Sequence, residues 1–268
     1  MRPIFNVGGE GAFALIMGFI SGYPTGAKIA CDFRKKNILP KEEVKDYLVL
    51  RTIHGPLFII GTIGVTMYGS STIGFLLLIS HILSCLTVGF LFRFWKKNTS
   101  SSSQFIYSPK KDTSISNFGT IISASISNAM STLFMIGGFV VLFSVIISIF
   151  EESHLLPFLT NIFIPFFNFL HIPTTFIKPI LIGLLEITNG ISKISCIHIK
   201  AISINIIITS FILGLGGISV LMQIISITSN SDLSIKPYII GKTLQAFISA
   251  LYTSLLIILF PVFNYNLF

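Results

Sequence analysis

Charge is scarce in this sequence. Asp, Glu, Lys and Arg make up 10% of its 268 residues, against roughly 25% in soluble globular proteins, which excludes an ordinary water-soluble domain. Acidic residues are the rarer sign, ten against eighteen Lys and Arg. The three cysteines, Cys31, Cys85 and Cys196, lie far apart with no CxxC spacing, so neither a disulfide framework nor a thiolate zinc site is suggested. HExxH, G-x-S-x-G and paired-carboxylate patterns are missing, and no enzyme chemistry is expected. Gly241–Lys242–Thr243 ends like a phosphate-binding loop, but the leading glycine is replaced by Lys236. No ATP site, metal or other cofactor is therefore expected. Near the start, Pro3, Gly8, Gly9 and Glu10 interrupt the apolar centre that a signal peptide needs, so no cleaved leader is expected.

What the sequence has in quantity is apolar surface. Hydrophobic residues make up 52% and the mean hydropathy is +0.86, the composition of a multi-spanning membrane protein. A bilayer core about 30 Å thick takes about 20 helical residues per crossing, so the chain has room for about six. Apolar runs cover 11–31 (broken), 47–69, 72–94, 131–150, 173–196 (broken), 201–228 and 238–263. All are read as helices, because lipid leaves no water for open backbone groups and no barrel-type alternation appears. The net charge of +8 sits in loops between greasy segments, at 31–46 and 92–114, where it reads as topology rather than as a nucleic-acid face. The positive-inside rule puts both loops in the cytosol, joined by a hairpin of two spans. The Ser-rich "TSSSSQ" reads as a flexible linker, and residues 114–130 after it as an interfacial helix.

A shift of 165 positions lays "GFISGYPTGAKIAC" (18–31) over "GLLEITNGISKISC" (183–196), and a shift of 162 lays "HGPLFIIG" (54–61) over "GGISVLMQ" (216–223). The expected fold is therefore all-α and polytopic, with two repeats, each containing a broken or re-entrant helix: 1–94, a linker at 95–116, and 117–268. The first copy lacks a counterpart of 115–150, and N-terminal shortening is the preferred reading. An odd number of crossings per copy inverts the second relative to the first, as in secondary transporters whose interrupted helices form the site near the midplane.

Gly22, Pro24 and Gly26 prevent a continuous helix and leave backbone N–H and C=O groups open, tolerable in a membrane only around a cavity or inside protein. Helix N-termini at such breaks favour anions. The candidate binding residues are Ser21, Gly22, Tyr23, Pro24, Thr25, Gly26 and Lys28 at the first break, and Glu186, Thr188, Asn189, Gly190, Ser192 and Lys193 at the second. Gly55 and Pro56 on the following span, and Gln223, complete the set. Plainer readings stand beside these. Lys28 would snorkel beside a basic loop, Gly137 and Gly138 would be close-packing positions, and His81 would be an interhelical hydrogen-bond donor. Arg51 and His54 read equally as helix-end anchors or as part of the pocket. Glu186 is costly at membrane depth. It is expected either to be neutralised by Lys193 or to hold a proton or cation that takes part in transport.

The blocks "GFISGYPTGAK", "GPLFIIGTIGV", "IGGFVVLFSVI", "EITNGISK" and "GGISVLMQ", in order over nearly the whole chain, resemble the YlbJ (SpoVV) family of sporulation integral membrane proteins, built from paired nucleoside-recognition Gate domains. The resemblance implies a permease that passes dipicolinic acid from mother cell to spore across the outer forespore membrane. It implies as partners the lipid bilayer and a small dianion, with room for a coupling ion and a homo-oligomer. The alternatives are a non-transporting scaffold or sensor subunit of a sporulation membrane complex, and a nucleoside-type transporter.

Shared sidedness of the two basic loops is testable by cysteine labelling at Asn37 and Ser102. Both positions should react with the same impermeant reagent from the same side of the membrane; reaction from opposite sides would overturn the hairpin and the inversion with it.

Overall fold

The computed structural model describes residues 17–35, 54–95, 118–198, 202–229 and 234–260. Their regular structure is entirely helical. Four helical stretches are long and apolar enough to cross a membrane, Ser71–Phe92, Phe118–Glu152, Ile202–Thr228 and Lys236–Leu259, and shorter apolar helices lie between them. The all-α, multi-spanning expectation is met. The expected sites at 36–46 and 96–114, Arg51 and the side chain of Tyr23 lie outside the described residues.

After a helical stretch at 17–21, the chain breaks at Gly22 and continues as α1, Tyr23–Lys35. A π-helical segment follows at Leu57–Met67, its wide turns visible in the Tyr68 N–H that reaches back to the Ile63 carbonyl at 3.0 Å. A tight turn through Gly69 leads into α2, Ser71–Trp95. Gly64 and Gly74 let these two elements meet backbone to backbone, since a Cβ on Gly64 would stand 2.5 Å from the Gly74 Cα. The hairpin read from the sequence is thus a π-segment packed on a long helix.

The second half opens with α3, Phe118–Glu152, which is unbroken over 35 residues. Of the separate interfacial helix expected at 114–130, residues 118–130 are the first turns of this same helix. At 1.5 Å per residue it is longer than the bilayer core. Gly137 and Gly138 do not pack closely as expected: a Cβ at either would find nothing within 4 Å. His154, in the left-handed region at φ 58°, turns the chain into α4, Leu155–Phe169. The sequence reading missed this helix because Pro157, Asn161, Pro165 and Asn168 interrupt its apolar run. His171 (φ 54°) and a 3₁₀ turn at Thr174–Phe176 then start α5, Ile177–Leu185.

The chain breaks again at Glu186 and resumes as α6, Ile187–Ser195. The run expected as one helix at 201–228 is in fact two, α7 (Ile202–Leu215) and α8 (Gly217–Thr228), because Gly216 and Gly217 both take positive φ, 85° and 71°. The last long helix is α9, Lys236–Leu259.

The apolar core gathers Ile59, Ile63, Leu76 and Leu77 from the first half with Phe176, Ile191, Ile206, Ile212 and Leu213 from the second. Polar ties run through it. Ser210 and Ser249 hydroxyls meet at 2.7 Å and Thr253 donates to Ser210 at 2.7 Å, joining α7 to α9. Tyr68 bonds the Thr209 hydroxyl at 2.6 Å, and Asn205 donates to the carbonyls of Ile194 and Ile197 at the end of α6. In a membrane, helix association relies on such small-residue contacts and hydrogen bonds, because apolar side chains gain little by leaving lipid.

Gly190, expected among the binding residues, faces Gly183 across the α5–α6 break, where a Cβ would overlap the Gly183 backbone. Gly190→Ala should therefore cost about 1–3 kcal/mol of overpacking, read as lower abundance and a lower melting temperature in detergent. Gly137→Ala, with open space around it, should be neutral. Equal effects would remove the packing role.

Candidate functional site

Two helix breaks are built by different chemistry. Gly22 turns the chain at φ 87°, a conformation open to glycine and strained for other residues. Its N–H reaches the Gly18 carbonyl at 2.9 Å, and the Gly26 N–H reaches the Gly22 carbonyl at 3.4 Å. Glu186 is extended, at φ −140° and ψ 119°. Its Oε1 accepts the Thr188 N–H at 3.1 Å and its Oε2 accepts the Asn189 N–H at 2.7 Å. The carboxylate thus serves as the N-cap of α6, meeting orphan donors and the positive end of the helix dipole together.

Each break comes close to a second segment of its half. A Cβ on Gly22 would stand 3.3 Å from the Gly55 N, and one on Gly217 would stand 3.0 Å from the Gly183 carbonyl oxygen. These approaches bring both breaks to one cavity of about 510 Å³, within the range of small-molecule sites. Ser21, Gly22, Pro24, Gly55, Glu186, Thr188 and Gln223 line it, so seven of the residues singled out from the sequence meet there. His54 lines it as well, which places that residue in the pocket rather than at a helix-end anchor. Leu133, Ile136 and Val140 of α3 close one side and Val220 of α8 another. The first residues of α1, the π-segment and α6 all face this space.

The remaining candidates do not line it. Lys28 lies one turn beyond Pro24 and donates to the Asn128 Oδ1 at 3.1 Å. It borders a second, outer cavity of about 360 Å³ with Asp32, Lys35, Ser131 and Thr132, and Pro24 belongs to both walls. Thr25, Gly26, Pro56 and Ser192 are off the central cavity, and Asn189 turns away to donate to the Ser144 hydroxyl at 2.8 Å.

The expected pairing of Glu186 with Lys193 is not formed. Lys193 lies 3.5 Å from the Glu151 carboxylate, which also takes Lys178 at 2.9 Å. Seven residues of helix span about 10 Å, too far for a direct pair, while Glu151 arrives at Lys193 from the end of α3. His81 is an acceptor, not the expected donor: its Nε2 takes the His54 backbone N–H at 3.3 Å. Sequence reasoning also passed over Lys242. It is 3% exposed on α9, beside the Gly216 break, and its Nζ donates to Gln245 Oε1 at 3.0 Å. The signal was present as a lysine inside an otherwise apolar span, a default marker of function at membrane depth. Among the described residues no three His, Cys, Asp or Glu side chains gather as a metal site would require.

Among the described residues, helices interrupted at three points and gathered around a half-open, partly polar cavity define an all-helical, multi-pass integral membrane protein. The chain is 32% identical over 273 aligned positions to the sporulation integral membrane protein YlbJ of Bacillus subtilis (strain 168), a match that covers 96% of this chain. It belongs to the YlbJ family of sporulation integral membrane proteins. The chain spans 66% of that relative's length, just under two thirds. No family model matches the sequence, and no solved structure matches it.

Independence of Glu186 from Lys193 is open to a double-mutant cycle. Glu186→Ala should lose about 1 kcal/mol of capping and Lys193→Met almost nothing, since exposed pairs contribute about 0–1 kcal/mol. The two losses should add within about 0.5 kcal/mol in thermal unfolding. Recovery of Glu186→Gln by Lys193→Met would restore the discarded pair.

Proposed function

We propose that this chain forms the substrate path of a permease for a small organic anion, dipicolinate, across the outer forespore membrane. The observation that carries the reading is the central cavity itself, where interrupted helices from both halves of the chain present their first residues to one space. Unsatisfied N–H groups and helix dipoles at such starts attract negative charge without a full cation. The Glu186 carboxylate is held by two N–H donors of its own helix, so its charge is partly spent there.

Full positive charge lies further out. Lys28 and Lys35 outnumber Asp32 in the lining of the outer cavity, which shares Pro24 with the central one. The basic loop that follows α1 is expected in the cytosol. An anion drawn to Lys28 from that side would meet the break at Gly22 next. This division of labour, with attraction at the vestibule and weaker binding inside, suits passage better than a buried lysine clamp, which would hold a dianion too tightly to release.

The two-copy reading supports the same function. Gly22 crosses Gly55 in one half, and the α5–α6 break crosses Gly217 in the other, at positions that the 165- and 162-residue shifts bring into correspondence. Paired crossings of interrupted helices, inverted across the midplane, are the arrangement by which secondary transporters alternate access.

Labelled dipicolinate loaded against vesicles that contain the purified chain tests the proposal. Uptake should depend on the chain, and Gly22→Val should reduce it at least roughly fivefold, the ratio of about 1 kcal/mol, at normal abundance. Lys28→Ala should raise the concentration needed for half-maximal uptake, and Lys193→Ala should leave uptake unchanged. Competition by uridine but not by pyridine dicarboxylates would instead favour a nucleoside substrate. Absence of any flux from inserted protein would favour a scaffold or sensor subunit.

A further inference from the structure

Helix α3 turns one stripe of side chains toward the second half of the chain. Leu133, Ile136, Val140, Ser144, Ile147 and Glu151 follow one another at steps of three or four residues, so they share a face. The first three close one side of the central cavity. Beyond them the Ser144 hydroxyl accepts the Asn189 Nδ2 group at 2.8 Å, and Ile147 packs with Leu156 and Ile182 against Leu181 and Leu185. Glu151 ends the stripe. The helix that walls the cavity thus continues as a seam along α5 and α6, and the last tie in that seam is ionic.

Helices α5 and α6 form a hairpin whose bend is Glu186. Lys178 lies eight residues before the bend and Lys193 seven after it, about 12 and 10 Å along the two helices. Both lysines therefore stand at the open end of the hairpin. Glu151 Oε1 lies 2.9 Å from the Lys178 Nζ and 3.5 Å from the Lys193 Nζ, so one carboxylate holds both legs. Removal of Lys193 alone leaves Lys178 on the carboxylate and Asn189 on Ser144, and the seam outlasts it. Along α3, Glu151 is 23 residues from Asn128, the partner of Lys28 beside the outer cavity. That is about 35 Å of helix, more than the bilayer core of about 30 Å. The ionic tie and the outer cavity belong to opposite faces of the membrane.

We propose that Glu151 is a positioning residue of the substrate path, the clasp that holds the α5–α6 hairpin on α3 and keeps the central cavity shut toward the face opposite the outer cavity. The assignment rests on the permease reading and adds its second gate. An anion that enters past Lys28 leaves through the seam, which is closed by a hydrogen bond, an apolar cluster and this carboxylate. Only the carboxylate acts through full charge. The lysine side chains are 47% and 46% exposed and that of Glu151 is 30% exposed, so water and salt reach the pairs and each contributes little. A weak clasp suits a gate that opens in every cycle.

Sided labelling tests the clasp. The reporter chain carries Cys196→Ser, which removes the exposed thiol, and Val140→Cys on the cavity wall; Ser153→Cys in a companion chain marks the face of Glu151. A membrane-impermeant maleimide applied from that face should label the reporter slowly, and roughly threefold to tenfold faster once Glu151→Gln is added, the order that loss of two half-exposed pairs permits. Glu151→Asp keeps the charge and should stay near the reporter's rate. Added salt should speed labelling of the reporter and leave its Glu151→Gln form unchanged, a response that a folding role would not give. An unchanged rate in Glu151→Gln at normal abundance overturns the proposal. Where that variant is poorly produced, a reporter rate that ignores salt overturns it as well. Vesicles of the unsubstituted chain that exchange no labelled dipicolinate overturn the permease reading itself, a result read separately from the labelling.

Discussion

A helix that stops inside a membrane leaves N–H groups with no water to meet them, and the chain must supply what the solvent would have supplied. Glu186 meets that demand at the start of α6, where its two carboxylate oxygens take the N–H groups of Thr188 and Asn189. Remove those two bonds and the break has no reason to sit where it does. The α5–α6 packing through Gly183 and Gly190, the approach of Gly217 to the carbonyls of α5, and the shape of the cavity beneath them all depend on the chain stopping at that residue.

The scaffold around the breaks is correspondingly rigid. Helix α7 lies close enough to α9 that a Cβ on Gly214 would stand 2.6 Å from the Ala246 Cα, and the Ser210, Ser249 and Thr253 hydroxyls bond across the same seam. Tyr68 and Asn205 tie the π-segment and the end of α6 into it. Such small-residue and hydroxyl contacts hold helices together where hydrophobic burial contributes little. Against this frame, α1, α6 and α8 are short helices that begin at breaks.

Much of this was legible from residue order. The interruption at Gly22 and the long helices α2 and α9 could be read directly from glycine, proline and apolar length, as could the meeting of Ser21, Gly55, Thr188 and Gln223 on one cavity; the second break, expected at Asn189 and Gly190, falls instead at Glu186, and α6 runs unbroken through both residues. Partners across helices could not. The spacing of Glu186 and Lys193 suggested a pair, yet the lysine's partner, Glu151, comes from another helix end. Helix α4 stayed hidden because its prolines and asparagines break the apolar pattern, while neighbouring turns hold it in place. The Gly216–Gly217 break was hidden for the opposite reason, since two glycines within a long apolar run do not disrupt its hydropathy. Lys242 was read against a nucleotide-binding motif and dismissed, when the relevant fact was its depth in a span.

The two breaks reach the same end by means that differ in charge. Gly22 needs no side chain, because a positive φ lets the backbone turn and bond to itself. Glu186 keeps an ordinary extended backbone and supplies a carboxylate instead. The wall at Glu186 therefore turns an acidic side chain toward the cavity, already engaged by two N–H groups of α6, while the wall at Gly22 turns backbone and the Ser21 hydroxyl toward it. The two walls match in construction, each a short helix that starts at an interruption, and differ in the chemistry they present, so that a substitution at Glu186 changes the polarity of the cavity and one at Gly22 changes its shape.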